Sequence, residues 1–383
     1  MLELRKFVAP EFVFGPDAVN LVGRYLSNFG ARNVLVVTDA GIIAAGWAEK
    51  ISSLIGEEGI GCTVFSAISA NPRSGEVMAG AEFYHEHHCD IIVAIGGGSP
   101  MDCAKGIGIV TTNHHNILTF EGIDNVPIPG PPLICIPTTA GTSADVSQFA
   151  IITNRDEGVK TAIISKTMVP DVALIDPVTT LTMSPYLTAC TGMDALVHAI
   201  EAYVSTANSP LYDLHALEAV RLISANLLSV LINPTDIELR NRLMLGSLLA
   251  GLAFSNASLG AVHAMAHSLG GFLDLPHGEC NAILLEHVIA YNYREAAERY
   301  ARIGGALGLD THGMQSRDIQ EAVISEIRRL KRSVGIQKTL GERGTKRSDI
   351  PALAEKAMQD PCMVTNPRIP TQRDIEAIYE EAL

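Results

Sequence analysis

Ile91-Ile92-Val93-Ala94-Ile95-Gly96-Gly97-Gly98-Ser99-Pro100-Met101-Asp102-Cys103-Ala104-Lys105 is the stretch on which the fold turns. A continuous apolar run gives way to three glycines, and these to a helical pattern. An unbroken run of this kind predicts a strand buried on both faces, as in a parallel sheet. The glycines let a ligand approach the backbone, and the helix they open offers free N–H groups to a phosphate. Pro100 suits a first helical turn. The loop is neither a G-x-G-x-x-G nor a Walker A sequence. Outward from it, Val34–Val37, Thr63–Phe65 and Leu133–Ile136 read as further buried strands, and residues 42–58 and 75–88 as amphipathic helices between them. This alternation predicts an α/β, Rossmann-like domain with a parallel, doubly wound sheet. Ala150–Thr153 and Ala162–Ser165 flank the polar Asn154-Arg155-Asp156-Glu157-Gly158 and read as a hairpin added to that sheet.

Beyond Pro185 the strand-like runs stop and 3.6-residue periodicity takes over, in 192–205, 210–231, 236–255, 261–273 and 294–307. The expected organisation is an α/β domain over 1–182 and an all-α domain over 183–383. A chain of 383 residues can bury two such cores. Its 28 Lys+Arg against 42 Asp+Glu give a net charge of −14, which argues against a nucleic-acid partner. No signal peptide is evident after Met1, and no apolar run approaches the roughly 20 residues that span a bilayer. A cytoplasmic protein with no membrane partner is expected. The seven cysteines are odd in number and widely spaced, with no C-x-x-C, which disfavours a disulfide framework or a cysteine zinc site.

Four segments could carry chemistry. Gly96-Gly97-Gly98-Ser99 form the glycine turn that opens a helix. Pro137-Thr138-Thr139-Ala140-Gly141-Thr142, after another strand, fits an anion or ribose site at a strand's carboxyl end. Asp39, just past the first strand, could bind a ribose 2′-hydroxyl and repel a 2′-phosphate, or simply cap a helix. Asp194 and His198 lie four apart on an apolar helix, and His263 and His267 repeat that spacing, with His277 following. Such spacing puts each pair on one helix face, and a carboxylate in that company must be paired or bound to metal. One Asp with several His suits Fe2+ or Zn2+, not an oxygen cage for Ca2+ or Mg2+. His85-Glu86-His87-His88-Cys89-Asp90 and His114-His115 look metal-rich but read as the polar end of a helix and a loop.

Together, Gly96–Asp102, Pro137–Thr142, Gly192-Met193-Asp194-Ala195-Leu196-Val197-His198-Ala199-Ile200-Glu201-Ala202-Tyr203, His263-Ala264-Met265-Ala266-His267-Ser268-Leu269-Gly270 and Pro276-His277-Gly278 resemble the iron-containing (group III) alcohol dehydrogenases, from about Phe14 to the C-terminus. The resemblance implies the dehydroquinate synthase-like fold of that family: an NAD(P)-binding α/β domain, a helical metal domain, and catalysis in the cleft between them. It implies that Asp194, His198, His263 and His277 are metal ligands and that His267 lies near the nicotinamide. It places Gly97, Gly98, Ser99 and Asp102 at the pyrophosphate, with Asp102 a possible second catalytic residue beside His267. It places Thr138, Thr139 and Thr142 in a second cofactor loop, and Asp39, Asn71 and Lys160 around the riboses. Many members read Gly-Thr-Gly-Ser-Glu-Val-Thr where this chain has Gly141-Thr142-Ser143-Ala144-Asp145-Val146-Ser147.

The expected activity is interconversion of a short primary alcohol or diol with its aldehyde. A divalent metal, Fe2+ with Zn2+ as the alternative, would polarise the substrate oxygen, and NAD would exchange the hydride. His267 would pass the proton towards solvent. Phe149 and Phe254 are expected to wall the substrate pocket, where each methylene is worth about 1–3 kcal/mol. A homodimer or larger homo-oligomer is expected, with Phe12-Val13-Phe14 as an edge strand pairing across a two-fold. The rival readings are a glycerol dehydrogenase-like enzyme of polyols or phosphorylated substrates, and a non-catalytic metal or nucleotide sensor. A phosphate substrate would want cations near the metal, and the segments around Asp194 and His263 contain no Lys or Arg.

Overall fold

Six parallel strands run in the order β1-β9-β6-β4-β2-β3: β1 (Glu11–Phe14), β2 (Asn33–Val37), β3 (Gly61–Phe65), β4 (Ile91–Gly96), β6 (Leu133–Pro137) and β9 (Val172–Ile175). The computed structural model describes residues 4–155, 159–273 and 275–383. The connecting helices are α1 (Val22–Phe29), α2 (Ala40–Ala44), α3 (Trp47–Glu57), α4 (Ser74–Glu86) and α5 (Gly98–Asn113). The apolar runs are continuous because alternate residues feed two cores. Leu35, Val37, Ile92, Ala94 and Cys135 point to one face, with Val77, Ala104 and Ile107 of α4 and α5. Val34, Val36, Ile91, Val93, Ile134 and Ile136 point to the other, with Leu26, Ile51 and Ile55 of α1 and α3. The single helix expected over 42–58 is two, broken where Gly46 takes φ 82°.

The hairpin is real but does not join that sheet. β7 (Phe149–Asn154) pairs antiparallel with β8 (Val159–Ile164), and β8 pairs with the short β5 (Gly122–Ile123), making a separate three-stranded sheet. The large sheet already ends on β1 and β3, and the two-residue β5 is too short to register as a strand in the sequence. The turn residues 156–158 lie outside the described residues.

Residues 8–139 and 143–183 make up this α/β unit, and residues 4–7, 140–142 and 184–383 the helical unit. The latter comprises α6 (Pro185–Val204), α7 (Pro210–Ile232), α8 (Ile237–Ala257), α9 (Ala261–Leu273), α10 (His277–Asn292), α11 (Ala297–Ala306), α12 (Ser316–Ser333), α13 (Ile350–Gln359) and α14 (Gln372–Ala382). α6 is its axis, packing on α7, α8 and α10. Pro185 in its first turn and the Ser184 hydroxyl, which accepts from Leu187 N–H, start it. By length and mean hydropathy α7 would suffice to cross a bilayer, contrary to the expectation from its sequence, where Asp213, Glu218 and Arg221 interrupt the apolar run. It packs along α6 and α8, as core helices do.

Candidate metal centre and nucleotide loops

Three helices of the helical unit supply the polar groups. α6 carries Asp194, His198 and Glu201 at i, i+4 and i+7, all buried on one face. α9 carries His263 and His267, and α10 begins at His277. Glycine sets the key crossing. A Cβ on Gly278 would lie 2.2 Å from the Cys190 carbonyl oxygen and 3.2 Å from Asp194 Cβ, so α10 meets α6 backbone to backbone. That contact brings His277 and, one turn on, Asn281 over Asp194.

His263 Nε2 lies 3.7 Å and His277 Nε2 3.8 Å from Asp194 Oδ1. One donor atom from each of the three residues falls within 4.8 Å of the others. Asn281 Nδ2 donates to Asp194 Oδ1 at 2.6 Å and lies 3.0 Å from His263 Nε2 and 3.2 Å from His277 Nε2. His198 stands beside this group, not within it. Its ring stacks on His263 at 4.4 Å and on Phe254 at 4.3 Å. It bonds the Gly141 backbone, and its Nδ1 is buried without a hydrogen-bond partner. His263 Nδ1 lies 2.5 Å from Glu201 Oε2. His267 Nδ1 lies 2.8 Å from Asp360 Oδ2, and the His267 ring stacks on His277 at 5.1 Å. His267, Asp360 and Cys362 form a second group of three donors within 4.8 Å.

The electrostatics are those of a cation site. Burial alone would raise the Asp194 carboxyl, but His198, His277 and His263 outweigh it and hold it well below the usual carboxylate range. Burial pushes the His198 imidazole down to about 3, leaving it neutral with a lone pair to give. Burial would lower His263 too, but Asp194 and Glu201 lift it to about 9, so a proton or a dication answers the same negative potential. A buried carboxylate, a neutral imidazole and an orphaned ring nitrogen fit a divalent transition metal.

The α/β unit supplies the candidate nucleotide loops. β3 lies on one side of β2 and β4 on the other, so the connection reverses between β2 and β4, where open α/β sheets bind ligands beyond the strands' carboxyl ends. Asp39 follows β2 and Gly97-Gly98-Ser99 follow β4 there. Thr138 N donates to Gly96 O at 2.9 Å. A Cβ on Gly97 would lie 3.2 Å from Thr139 Cγ2, so the two loops touch only because Gly97 has none. The Ser99 hydroxyl donates to Ala70 O, tying this turn to the segment carrying Asn71.

Asp39 also does what the plainer reading foresaw: it caps α2, accepting Ile42 N–H at 3.0 Å. Asp102 Oδ2 accepts Ile151 N–H at 3.2 Å, and burial lifts its carboxyl to about 6 against the pull of Lys105 and Lys160. Lys160 lies on β8 opposite Thr153. Thr142 belongs to the segment 140–142, which packs on α6: a Cβ on Gly141 would meet Thr191 Cβ at 2.5 Å. Ser143 takes φ 50°, the left-handed region that glycine enters freely. Phe149 is buried on β7. Among the described residues, His85–Asp90 and His114-His115 contribute to no group of three metal donors. His87 Nδ1 instead pairs with Phe83 O at 3.0 Å.

Glu201, Asn281 and Asp360 were not singled out from sequence. Glu201 was visible in principle, seven residues past Asp194 on the same helical face.

Two family models cover the chain. "Iron-containing alcohol dehydrogenase" matches residues 9–177 and "Fe-containing alcohol dehydrogenase family, C-terminal" matches 188–383. The chain belongs to the iron-containing alcohol dehydrogenase family. It is 41% identical over 371 residues to the 1,3-propanediol dehydrogenase of Citrobacter freundii, covering 96% of each chain. It is 37% identical over 377 residues to the NAD-dependent methanol dehydrogenase of Bacillus methanolicus, covering 98% of this chain and 99% of that one. Its fold superposes on a crystal structure of a 1,3-propanediol oxidoreductase with a TM-score of 0.97, at 39% identity and 100% coverage of both chains. As a member of this family it is an oxidoreductase of alcohols and aldehydes that works with NAD and a divalent metal.

Proposed function

We propose that this chain reversibly oxidises a short primary alcohol or diol to its aldehyde, with NAD as hydride carrier and Fe2+ as the resident metal. The observation that carries this reading is the convergence of buried Asp194 and His263 with the partly exposed His277 from three helices. We assign these three, with His198 beside them, to the metal, which when bound supplies a Lewis acid for the substrate oxygen. Zn2+ suits the same donors.

The remaining roles fall to the chain's own groups. Gly97, Gly98 and Ser99 offer the amides at the start of α5 to the pyrophosphate. Asp39 is the ribose acceptor and favours NAD over NADP. Thr138, Thr139 and Thr142 line the second loop, and Asn71 and Lys160 stand at the riboses. His267, steadied at Nδ1 by Asp360, holds the proton that leaves the alcohol hydroxyl. Asp102 spends its carboxylate on Ile151 N–H and beside Lys105, and we assign it to holding the cofactor turn. Phe254, stacked on His198, is the apolar wall nearest the metal residues.

We place the protein in the cytoplasm as a homo-oligomer. All seven cysteines are free, as suits a reducing compartment. The edge strand β1 leaves Phe12 40% exposed, available to pair across a two-fold.

The test is NADH absorbance with a panel of short alcohols, diols and aldehydes, before and after chelation, beside His263→Ala. Turnover lost on chelation, restored by Fe2+ or Zn2+, and absent in the variant is the expected result. Turnover indifferent to metal and variant would refute it.

A further inference from the structure

The two histidines of α9 are held alike. Each Nδ1 faces a buried carboxylate from another part of the helical unit: Glu201 Oε2 at 2.5 Å from His263, and Asp360 Oδ2 at 2.8 Å from His267. Glu201 cannot turn away. Its other oxygen, Oε1, accepts Val262 N–H at 2.7 Å. The adjoining Ala261 N–H donates to Asn366 Oδ1 at 3.1 Å, so the start of α9 is clamped on both sides. A Cβ on Gly260 would lie 2.9 Å from Glu201 Oε1, so only glycine lets the chain enter α9 past this carboxylate. The positive end of the α9 dipole favours negative charge at that spot. Glu201 is 4% exposed and His263 1%, so the pair is shut off from bulk water.

A carboxylate has only acceptors to offer, whereas each imidazole nitrogen is either a donor or a lone pair. We propose that Glu201 is the positioning residue of the metal centre: it keeps the proton of His263 on Nδ1 and so reserves Nε2, the atom facing Asp194 and His277, for a divalent cation. This rests on the metal reading above. Asp360 treats His267 in the same way, but both lie outside the group around Asp194, so losing Asp360 leaves the donors of that group in place.

Glu201→Gln is the decisive variant. It keeps size and one acceptor. If that acceptor stays on Val262 N–H, the new amide N–H points at His263 Nδ1 and drives the proton onto Nε2, the ligand atom. The measurement is Zn2+ affinity of the full-length protein by competition with a chromophoric chelator, alongside thermal melting of the chelator-stripped protein. Glu201→Gln is expected to weaken Zn2+ by about 10–100-fold with the stripped melting temperature unchanged, and Asp360→Asn to leave Zn2+ affinity unchanged. Wild-type affinity in Glu201→Gln, or equal weakening in Asp360→Asn, overturns the assignment. A readout that needs no Glu201 variant is the tautomer itself, by nitrogen-15 NMR of histidine-labelled, zinc-loaded protein, with His263→Asn identifying the resonance. A proton on Nδ1 supports the assignment, and a proton on Nε2 overturns it. Failure of the metal reading would look different: the wild-type protein would bind no Zn2+ at all.

Discussion

Replacing Gly278 by alanine adds one methyl at the point where α10 meets α6. That carbon would lie 2.2 Å from the Cys190 carbonyl oxygen and 2.8 Å from its carbonyl carbon, both backbone atoms that cannot swing aside. Ordinary contacts between such atoms are roughly 3.5 Å, so α10 must back off by about 1 Å. Overpacking of this kind costs about 1–3 kcal/mol, and alanine's better helix propensity returns about 1 kcal/mol. The net loss of about 0–2 kcal/mol lowers the melting temperature by at most about 8 °C for a unit of this size. The functional effect is larger. Metal–ligand distances tolerate about 0.2 Å, and a 1 Å misplacement can cost about 100-fold in rate. Gly278→Ala should therefore fold, hold less than one equivalent of metal after dialysis, and lose about 100-fold in kcat/KM on its best alcohol. Gly305→Ala is the control, because a Cβ there meets nothing within 4 Å; it should be as stable as wild type or more so. Full metal content and normal turnover in Gly278→Ala would refute the claim that this crossing sets His277 against Asp194.

Three further outcomes follow from the α/β unit. Asp39→Asn keeps the cap on α2 but removes the charge, so NADP+ should gain about tenfold against NAD+ in kcat/KM with no change in melting; an unchanged ratio would make Asp39 a cap alone. Ser143 takes φ 50°, so Ser143→Gly should melt within about 1 kcal/mol of wild type, whereas the β-branched Ser143→Val should lose about 2 kcal/mol. Burial lifts Asp102 to about 6, above its ordinary value of 3.8. The unfolded chain therefore releases this proton first, and Asp102 costs stability as pH rises from about 4 to about 6. Urea melts should show wild type losing on the order of 2 kcal/mol against Asp102→Asn across that window, with no change above it; a gain with rising pH would reverse the reading.

The central strands β2, β4 and β6 were legible because each is buried on both faces and has no polar alternation to confuse it, whereas β3, expected to be buried, is an edge strand with Val64 exposed. Val172–Ile175, equally apolar and fully buried, lacks an amphipathic helix before it and went unread. The hairpin was legible, but its sheet was not, since membership depends on the two residues Gly122–Ile123. α10 was hidden by its own start: Pro276-His277-Gly278 reads as a chain-breaking turn, so Asn281 was never seen to share a face with His277. The four histidines and Asp194 stood out because polar groups at helical spacing in apolar surroundings are costly without a partner. Their carboxylate supports did not, because nothing local says that Glu201 meets a residue 62 positions away or that Asp360 meets one 93 away.

The path of the chain between its two units has a further consequence. Lys6 O accepts from the Tyr212 hydroxyl, the Phe7 and Tyr212 rings lie 6.2 Å apart, and Gly141 packs on Thr191, so two short pieces of the first half belong with the helices. The polypeptide passes from one unit to the other at 7/8, 139/140, 142/143 and 183/184. Neither half is a cassette. A gene fragment beginning at Ser184 would encode helices stripped of the loop against α6 and of the tether on α7, and recombination at that seam would carry over neither. The α/β and helical units are interleaved along the chain, so no single cut in the gene separates them cleanly.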